Sequence, residues 1–217
     1  MKRLLIILAL FAQCSMFNVQ CSMAYAQDAA AMKVLDIAAD RIRKAGNVQI
    51  EYKAAIFAGA TETASTTGTM WLQESKMKLD TEDIKTWYDG KTRWCYVPDA
   101  NEVNIDEPSK KEMAAMNPYT FMNIYKKGFK MTVKETALRG EAVYEVYLKA
   151  RYAKMDVKEV YVDIRKSDYQ PLCIRVREDK DWQRVSVLSF KGNLNLSDNF
   201  FVFPEKDYPD VLKNDMR

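Results

Sequence analysis

The sequence predicts an α+β fold that is mainly antiparallel β: one N-terminal helix, a meander of about eleven strands, and a short helical insertion halfway along. Three observations carry this. A single stretch near the start repeats its apolar residues at helical period. From Val48 onward the period is two, punctuated by turn-forming residues. Residues 109 to 127 break that alternation with helix-start signals. The chain has 217 residues, 48% hydrophobic and 29% charged, which suits one folded domain and excludes a disordered chain.

The first 26 residues read as a secretory signal peptide. Lys2 and Arg3 form a basic start, Leu4 to Phe11 an apolar run, and Ala24-Tyr25-Ala26 a cleavage signal before Gln27. The apolar run is well short of the ~20 residues that span a bilayer, which argues against an uncleaved membrane anchor. The alternative of a lipidated Cys14 or Cys21 meets Gln13 and Gln20, where a small residue is expected. The expected mature domain is 27–217. Cleavage removes two basic residues and no acidic ones, leaving 31 Lys and Arg against 30 Asp and Glu. Cys95 and Cys173 remain; their spacing leaves a disulfide and two separate thiols equally open.

In the mature chain, Leu35, Ala38, Ala39 and Ile42 share one face of a helix over 29–45, with Asp28 as its cap and Gly46 as its end. Strands are expected near 48–58, 67–73, 76–81, 84–88, 92–97 and 102–106. Thr81-Glu82-Asp83, Asp89-Gly90 and Pro98 to Asn101 supply turns. In 76–80, Met77 and Leu79 take one face and Lys76, Lys78 and Asp80 the other. Ser109 with Glu112 is a capping box that opens the insertion. Pro118 starts a second short helix that Gly128 ends. Strands resume at 129–137, 142–150, 156–164, 171–177 and 182–193.

Composition excludes several functions. There is no His, hence no Ser-His-Asp triad, no Cys-His dyad and no His-ligated metal. No Gly-rich phosphate loop and no Cys cluster occur, so neither cofactor nor metal is expected. The charge of +3 is too small for a nucleic-acid binder. A paired-carboxylate hydrolase needs no His, but no pair of acids is singled out. The reading is of a protein that is not an enzyme.

A long, strongly alternating sheet curls because its strands twist. The helices available are too few to fill it, so either it closes or a hollow remains. Met70, Met77, Met113, Met116, Met122 and Met131 fall on its strands or in the insertion. Met is over-used on surfaces that accept varied apolar ligands, although a plain core would use it as gap-filler. Trp71, Trp87 and Trp94 lie on successive strand segments, as a core or a stripe on one face would require.

The run Gly68-Thr69-Met70-Trp71-Leu72, followed by Trp87-Tyr88-Asp89-Gly90-Lys91-Thr92-Arg93-Trp94-Cys95-Tyr96-Val97-Pro98, resembles the periplasmic outer-membrane lipoprotein carriers, the LolA-like family. The helix opening at Pro118 and the tail Leu194 to Pro204, with its Phe201-Val202-Phe203, are similar to that family's insertion and closing segment. The resemblance implies a curved, unclosed β-barrel with helices over a hydrophobic cavity. It also implies a carrier that takes acylated lipoproteins from an inner-membrane release complex to an outer-membrane receptor, acting as a monomer in the periplasm. The cavity residues expected are Met70, Leu72, Met77, Leu79, Trp94, Met116, Phe121, Met122 and Tyr125. The alternative is a lipid- or lipoprotein-sensing module of the same fold without transport. One departure stands out: the family's lid-latching Arg matches Glu74, so that role does not carry over.

Overall fold

The computed structural model describes residues 28–109, 112 and 128–217. The signal peptide and most of the insertion lie outside these residues. Helix α1 spans 28–44. Twelve strands follow: β1 Val48–Ala58, β2 Thr61–Gln73, β3 Lys76–Thr81, β4 Lys85–Tyr88, β5 Arg93–Val97, β6 Glu102–Asp106, β7 Phe129–Leu138, β8 Glu141–Ala150, β9 Glu159–Arg165, β10 Pro171–Arg177, β11 Trp182–Lys191 and β12 Leu212–Asp215. They form one sheet in the order β12-β6-β5-β4-β3-β2-β1-β11-β10-β9-β8-β7. The sheet is not closed: β12 and β7 are its two edges. Together with α1 this is the expected curved, unclosed barrel.

The sheet consists of two meanders, β1 to β6 and β7 to β11, in which neighbours in sequence pair antiparallel. The seam between them is β1 against β11, where Gln49 pairs with Lys191. An extra residue, Leu188, bulges from β11 in this seam and is 56% exposed. At the far edge β12 lies parallel to β6.

Alternation assigns each side chain to a face, and register carries the assignment from strand to strand. One face, called inner here, packs against α1. Ala31, Val34, Leu35 and Ala38 recur at i, i+3, i+4 and i+7 and are buried against Met131, Val146, Leu148, Val160, Val162 and Ile164. Burying each larger aliphatic side chain here is worth about 1.5–3 kcal/mol. The helix is also tied down at both ends. Asp28, expected as the cap, is instead itself helical and is the first described residue of α1. Its carboxylate accepts the Met131 N–H of edge strand β7 and pairs with Arg151 at 3.0 Å. At the other end Arg41 reaches Asp168 at 2.9 Å, in the turn between β9 and β10. Gly46 then takes φ +62° and turns the chain into β1.

The tail after β11 crosses the outer face. Phe201, 0% exposed, and Phe203 anchor it. Phe203 packs edge-on against Trp87 (5.3 Å between centroids), and Phe200 likewise against Trp71 (5.5 Å). The tail then pairs as β12 with β6, and Asn101 Nδ2 donates to the Asp210 carbonyl at 3.0 Å.

Cys95 and Cys173 are both free. Strand order separates β5 from β10 by six inter-strand steps, about 28 Å along the sheet. A disulfide needs its Cα atoms within about 7 Å. The two thiols also face opposite ways. Cys95 is beside Thr86 on the inner face, and Cys173 is buried on the outer face beside Ser186.

Candidate functional site

The sequence motifs divide into those that build turns and those that build a surface. In Asp89-Gly90-Lys91-Thr92, Asp89 Oδ1 accepts the backbone N–H groups of Lys91 and Thr92, both at 2.8 Å. Gly90 takes φ +105°, and the Tyr88 hydroxyl donates to its carbonyl at 2.9 Å. This Asx-type turn sets the β4–β5 register. Glu74 sits in the β2–β3 turn at φ +52°, at a hairpin end. Ser109 and Glu112 form the expected capping box. The Glu112 carboxylate accepts from the Ser109 N–H and hydroxyl, and the Glu112 N–H donates back at 3.3 Å.

The apolar surface is on the inner face of the β1–β4 half. Register places Val48, Leu72, Met77 and Tyr88 in one row across four strands, 0 to 8% exposed. The adjacent row is Ile50, Met70 and Leu79, all half-buried. Ala45 and Phe190 pack beside these rows, joining them to the end of α1 and to β11. Farther along, Tyr52 crosses over Gly68. A Cβ on Gly68 would lie 2.9 Å from the Tyr52 hydroxyl, 2.8 Å from the Asp80 carbonyl and 2.7 Å from the Thr81 methyl. Only glycine lets the strands and the Tyr52 ring approach this closely. Beyond it Ile56 and Val185, also on the inner face by register, are 45% and 39% exposed. The inner face is therefore sealed at the Val48 row and opens to solvent as apolar surface at the Ile56 end.

The first row ends in charge. Tyr88 pairs with Arg93, and Arg93 with Asp106. The Arg93 Nε donates to Asp106 Oδ1 at 2.9 Å, and this carboxylate raises the guanidinium's pKa. The pair stands where the chain leaves the sheet for the insertion, close enough to Glu112 for the two charges to interact.

Four expected cavity residues, Met70, Leu72, Met77 and Leu79, thus meet on one face in two rows. Trp94 does not join them. It pairs in register with Trp87 on the outer face and packs in the cluster of Trp87, Val103, Ile105 and Phe203. The tail makes that face apolar too, so an aromatic residue there is no sign of the cavity. Met116, Phe121, Met122 and Tyr125 lie outside the described residues. Sequence reasoning missed Val48, Ile50, Tyr88 and Phe190, although the alternation in β1 would have found the first two.

The three tryptophans form the expected stripe. Trp71, Lys78, Trp87 and Trp94 stand side by side across β2 to β5 on the outer face. Lys78 Nζ lies over Phe200, Trp71 and Trp87 at 4.5, 5.3 and 5.6 Å from the ring centroids. Burial lowers its pKa, Asp80 opposes that shift, and the rings add cation–π attraction.

The architecture is thus a mainly antiparallel, unclosed barrel with a helix along its inner face and exposed apolar side chains at one end. The chain belongs to the family described as outer membrane lipoprotein carrier protein LolA, which matches residues 22–180. Solved structures share the fold at low identity. An uncharacterized conserved protein from Thermus thermophilus is 12% identical with a TM-score of 0.56, covering 86% of this chain and 99% of that one. Lipoprotein LppX from Mycobacterium tuberculosis is 8% identical with a TM-score of 0.51, covering 78% and 100%. LprF from Mycobacterium bovis is also 8% identical at 0.51, covering 79% and 97%. No curated protein matches the sequence.

Proposed function

We propose that this protein is a periplasmic carrier that shelters the acyl chains of lipoproteins against its inner face and moves them from the inner to the outer membrane. The observation that carries the reading is the inner face itself. The half-buried row Ile50, Met70 and Leu79 crosses β1 to β3, and farther along β1 and β11 on the same face Ile56 and Val185 stand exposed. Membership of the lipoprotein-carrier family supports the same assignment. Leu72 and Met77 form the buried floor beside the row.

The energetics explain the need. Each CH₂ of an acyl chain left in water costs ~0.8 kcal/mol, so one long chain costs on the order of 10 kcal/mol. A carrier has to offset most of that and still release its cargo. A face that is partly covered and partly open satisfies both demands, and flexible Met side chains adapt to chains of different shape. No bond is made or broken, so no catalytic group is needed. An inner-membrane release complex would load the carrier and an outer-membrane receptor would unload it.

The test places a photo-crosslinking residue at Leu79, with Trp94 on the outer face as control, in protein incubated with acylated lipoprotein in membrane vesicles. Labelling of acyl chains from position 79 and not from 94 is expected, together with delivery of the lipoprotein to acceptor outer-membrane vesicles. No acyl labelling from 79 refutes sheltering. Labelling without delivery refutes transport and leaves a sensing module.

A further inference from the structure

The outer face of the other half-sheet carries a second feature that the carrier reading does not use. A cleft of about 300 Å³ is lined by Phe57, Gly59, Tyr161, Arg175, Trp182 and Arg184. Arg175 and Arg184 are register partners on β10 and β11, so two like charges stand directly side by side. Such a pair is unfavourable unless negative charge is supplied nearby. Arg175 has it: Glu145 at 2.7 Å and Asp163 at 3.3 Å. Arg184 pairs with Glu62 at 3.4 Å, and Glu62 is shared with Lys53 at 2.9 Å. Among the described residues of this network, five cations (Lys53, Lys134, Arg175, Arg177, Arg184) meet four carboxylates (Glu62, Glu145, Glu159, Asp163). One positive charge is left over, and it falls on Lys53 and Arg184, which share Glu62.

The guanidiniums are held in place before any ligand arrives. Arg184 lies over the Phe57 ring at 4.5 Å and Arg175 over Tyr161 at 4.6 Å. The Tyr161 ring stacks on Tyr147 at 4.7 Å and leans on Trp182 at 5.7 Å. Stacking of this kind fixes the plane of an arginine and leaves its edge donors available. The Arg175 Nε is buried and donates to nothing among the described residues. A buried donor without an acceptor is unfavourable, and an incoming acceptor satisfies it. Trp182, two residues along β11 from Arg184, lines the same cleft, with Tyr161 and the Arg177 guanidinium against its ring.

We propose that this cleft binds a small organic anion, a phosphate or carboxylate group carried on a flat apolar body. The anion sits at Arg184 and Arg175, and its body lies against Trp182. Arginine forks favour these two anions because their oxygens match two parallel N–H donors. The volume is at the lower end of small-molecule sites, which limits the ligand to about one ring and its anionic group. The site is on the opposite face from the acyl surface and is independent of it.

Titration calorimetry with phenyl phosphate, at constant ionic strength, tests this on the purified protein. Saturable binding in the millimolar range is expected. Phenol and inorganic phosphate should each bind at least about tenfold more weakly, because each lacks half of the recognition. Benzoate in place of phenyl phosphate tells a carboxylate site from a phosphate site, and binding of either supports the proposal. Arg184→Gln should weaken binding about tenfold or more. Arg175→Lys, which keeps the charge and loses the fork, should weaken it too. Absence of saturable binding by both anions, equal affinity for phenol, or an Arg184→Gln protein that binds like the parent would overturn the proposal. Acyl labelling from position 79 is unaffected in every case, so failure here is distinct from failure of the carrier reading.

Discussion

Replacing Phe201 by alanine tests whether the C-terminal tail is part of the fold or lies loosely on it. Phe201 is 0% exposed, and its neighbour Val202 is 37% exposed. Phe201 packs edge-on against Phe200 at 5.3 Å, and Phe200 in turn covers Trp71 and Lys78. Removing a fully buried phenyl ring loses its transfer free energy and leaves a cavity, together about 3–5 kcal/mol. For a domain of this size 1 kcal/mol moves Tm by about 2–4 °C, so the expected drop is about 6–20 °C. Val202→Ala, one residue away and partly exposed, should stay within about 1 kcal/mol. The assay is chemical denaturation followed by tryptophan fluorescence, since Trp71 and Trp87 lie under the tail. A loss below about 1 kcal/mol for Phe201→Ala, or a loss equal to that of Val202→Ala, refutes the reasoning. The tail would then contribute no core.

Two further outcomes follow from the same geometry. Gly68→Ala drives a methyl group into the Asp80 carbonyl and the Tyr52 hydroxyl, and should cost about 1–3 kcal/mol in a denaturation midpoint. A neutral result would mean that the strands separate freely there. Glu145 is pulled both ways: burial raises its pKa, but hydrogen bonds from Lys134 and Arg175 outweigh burial and hold it below the ordinary 4.5. A carboxylate lowered on folding adds stability above its unfolded pKa and loses it as pH falls through its folded pKa. Glu145→Gln should therefore be less stable than the parent by about 1.5–3 kcal/mol at pH ~7. The gap should close below about pH 4.5, and one that stays constant from about pH 7 to about pH 3 sinks the argument.

Much of this architecture was legible because local signals agreed with one another. The turn at Asp89-Gly90, the capping box at Ser109 and the alternation in 76–81 each have a mechanism confined to a few residues, and each appears where expected. Two strand segments were not legible. The first half of β2, Thr61 to Thr66, is a Ser- and Thr-rich hairpin extension with no apolar alternation. Strand β12, Leu-Lys-Asn-Asp, is short and polar, and its pairing is with β6, over a hundred residues away. The site was half legible for the same reason. Met77 and Leu79 alternate with Lys76, Lys78 and Asp80, which marks their face. In β5 both faces carry apolar side chains, because the tail turns the outer face into a second core. Period alone could not tell which of them Trp94 served. Nor could it show that Lys78 would end under three aromatic rings, since two of them belong to other strands and one to the tail.

The seam between β1 and β11 has a consequence for how the molecule is made. Within each meander every strand pairs with one reached by a short turn, so either half has partners as soon as it exists. The seam is different. Gln49 meets Lys191 across 142 residues of chain, and β1 gains its second neighbour only when β11, the last strand of the second meander, reaches it. Closing a loop of that length is a late, entropically costly event. Until it happens the two halves share no backbone ladder, and the inner face has not been assembled. A chain that lacks β11 holds both half-sheets and no continuous surface between them.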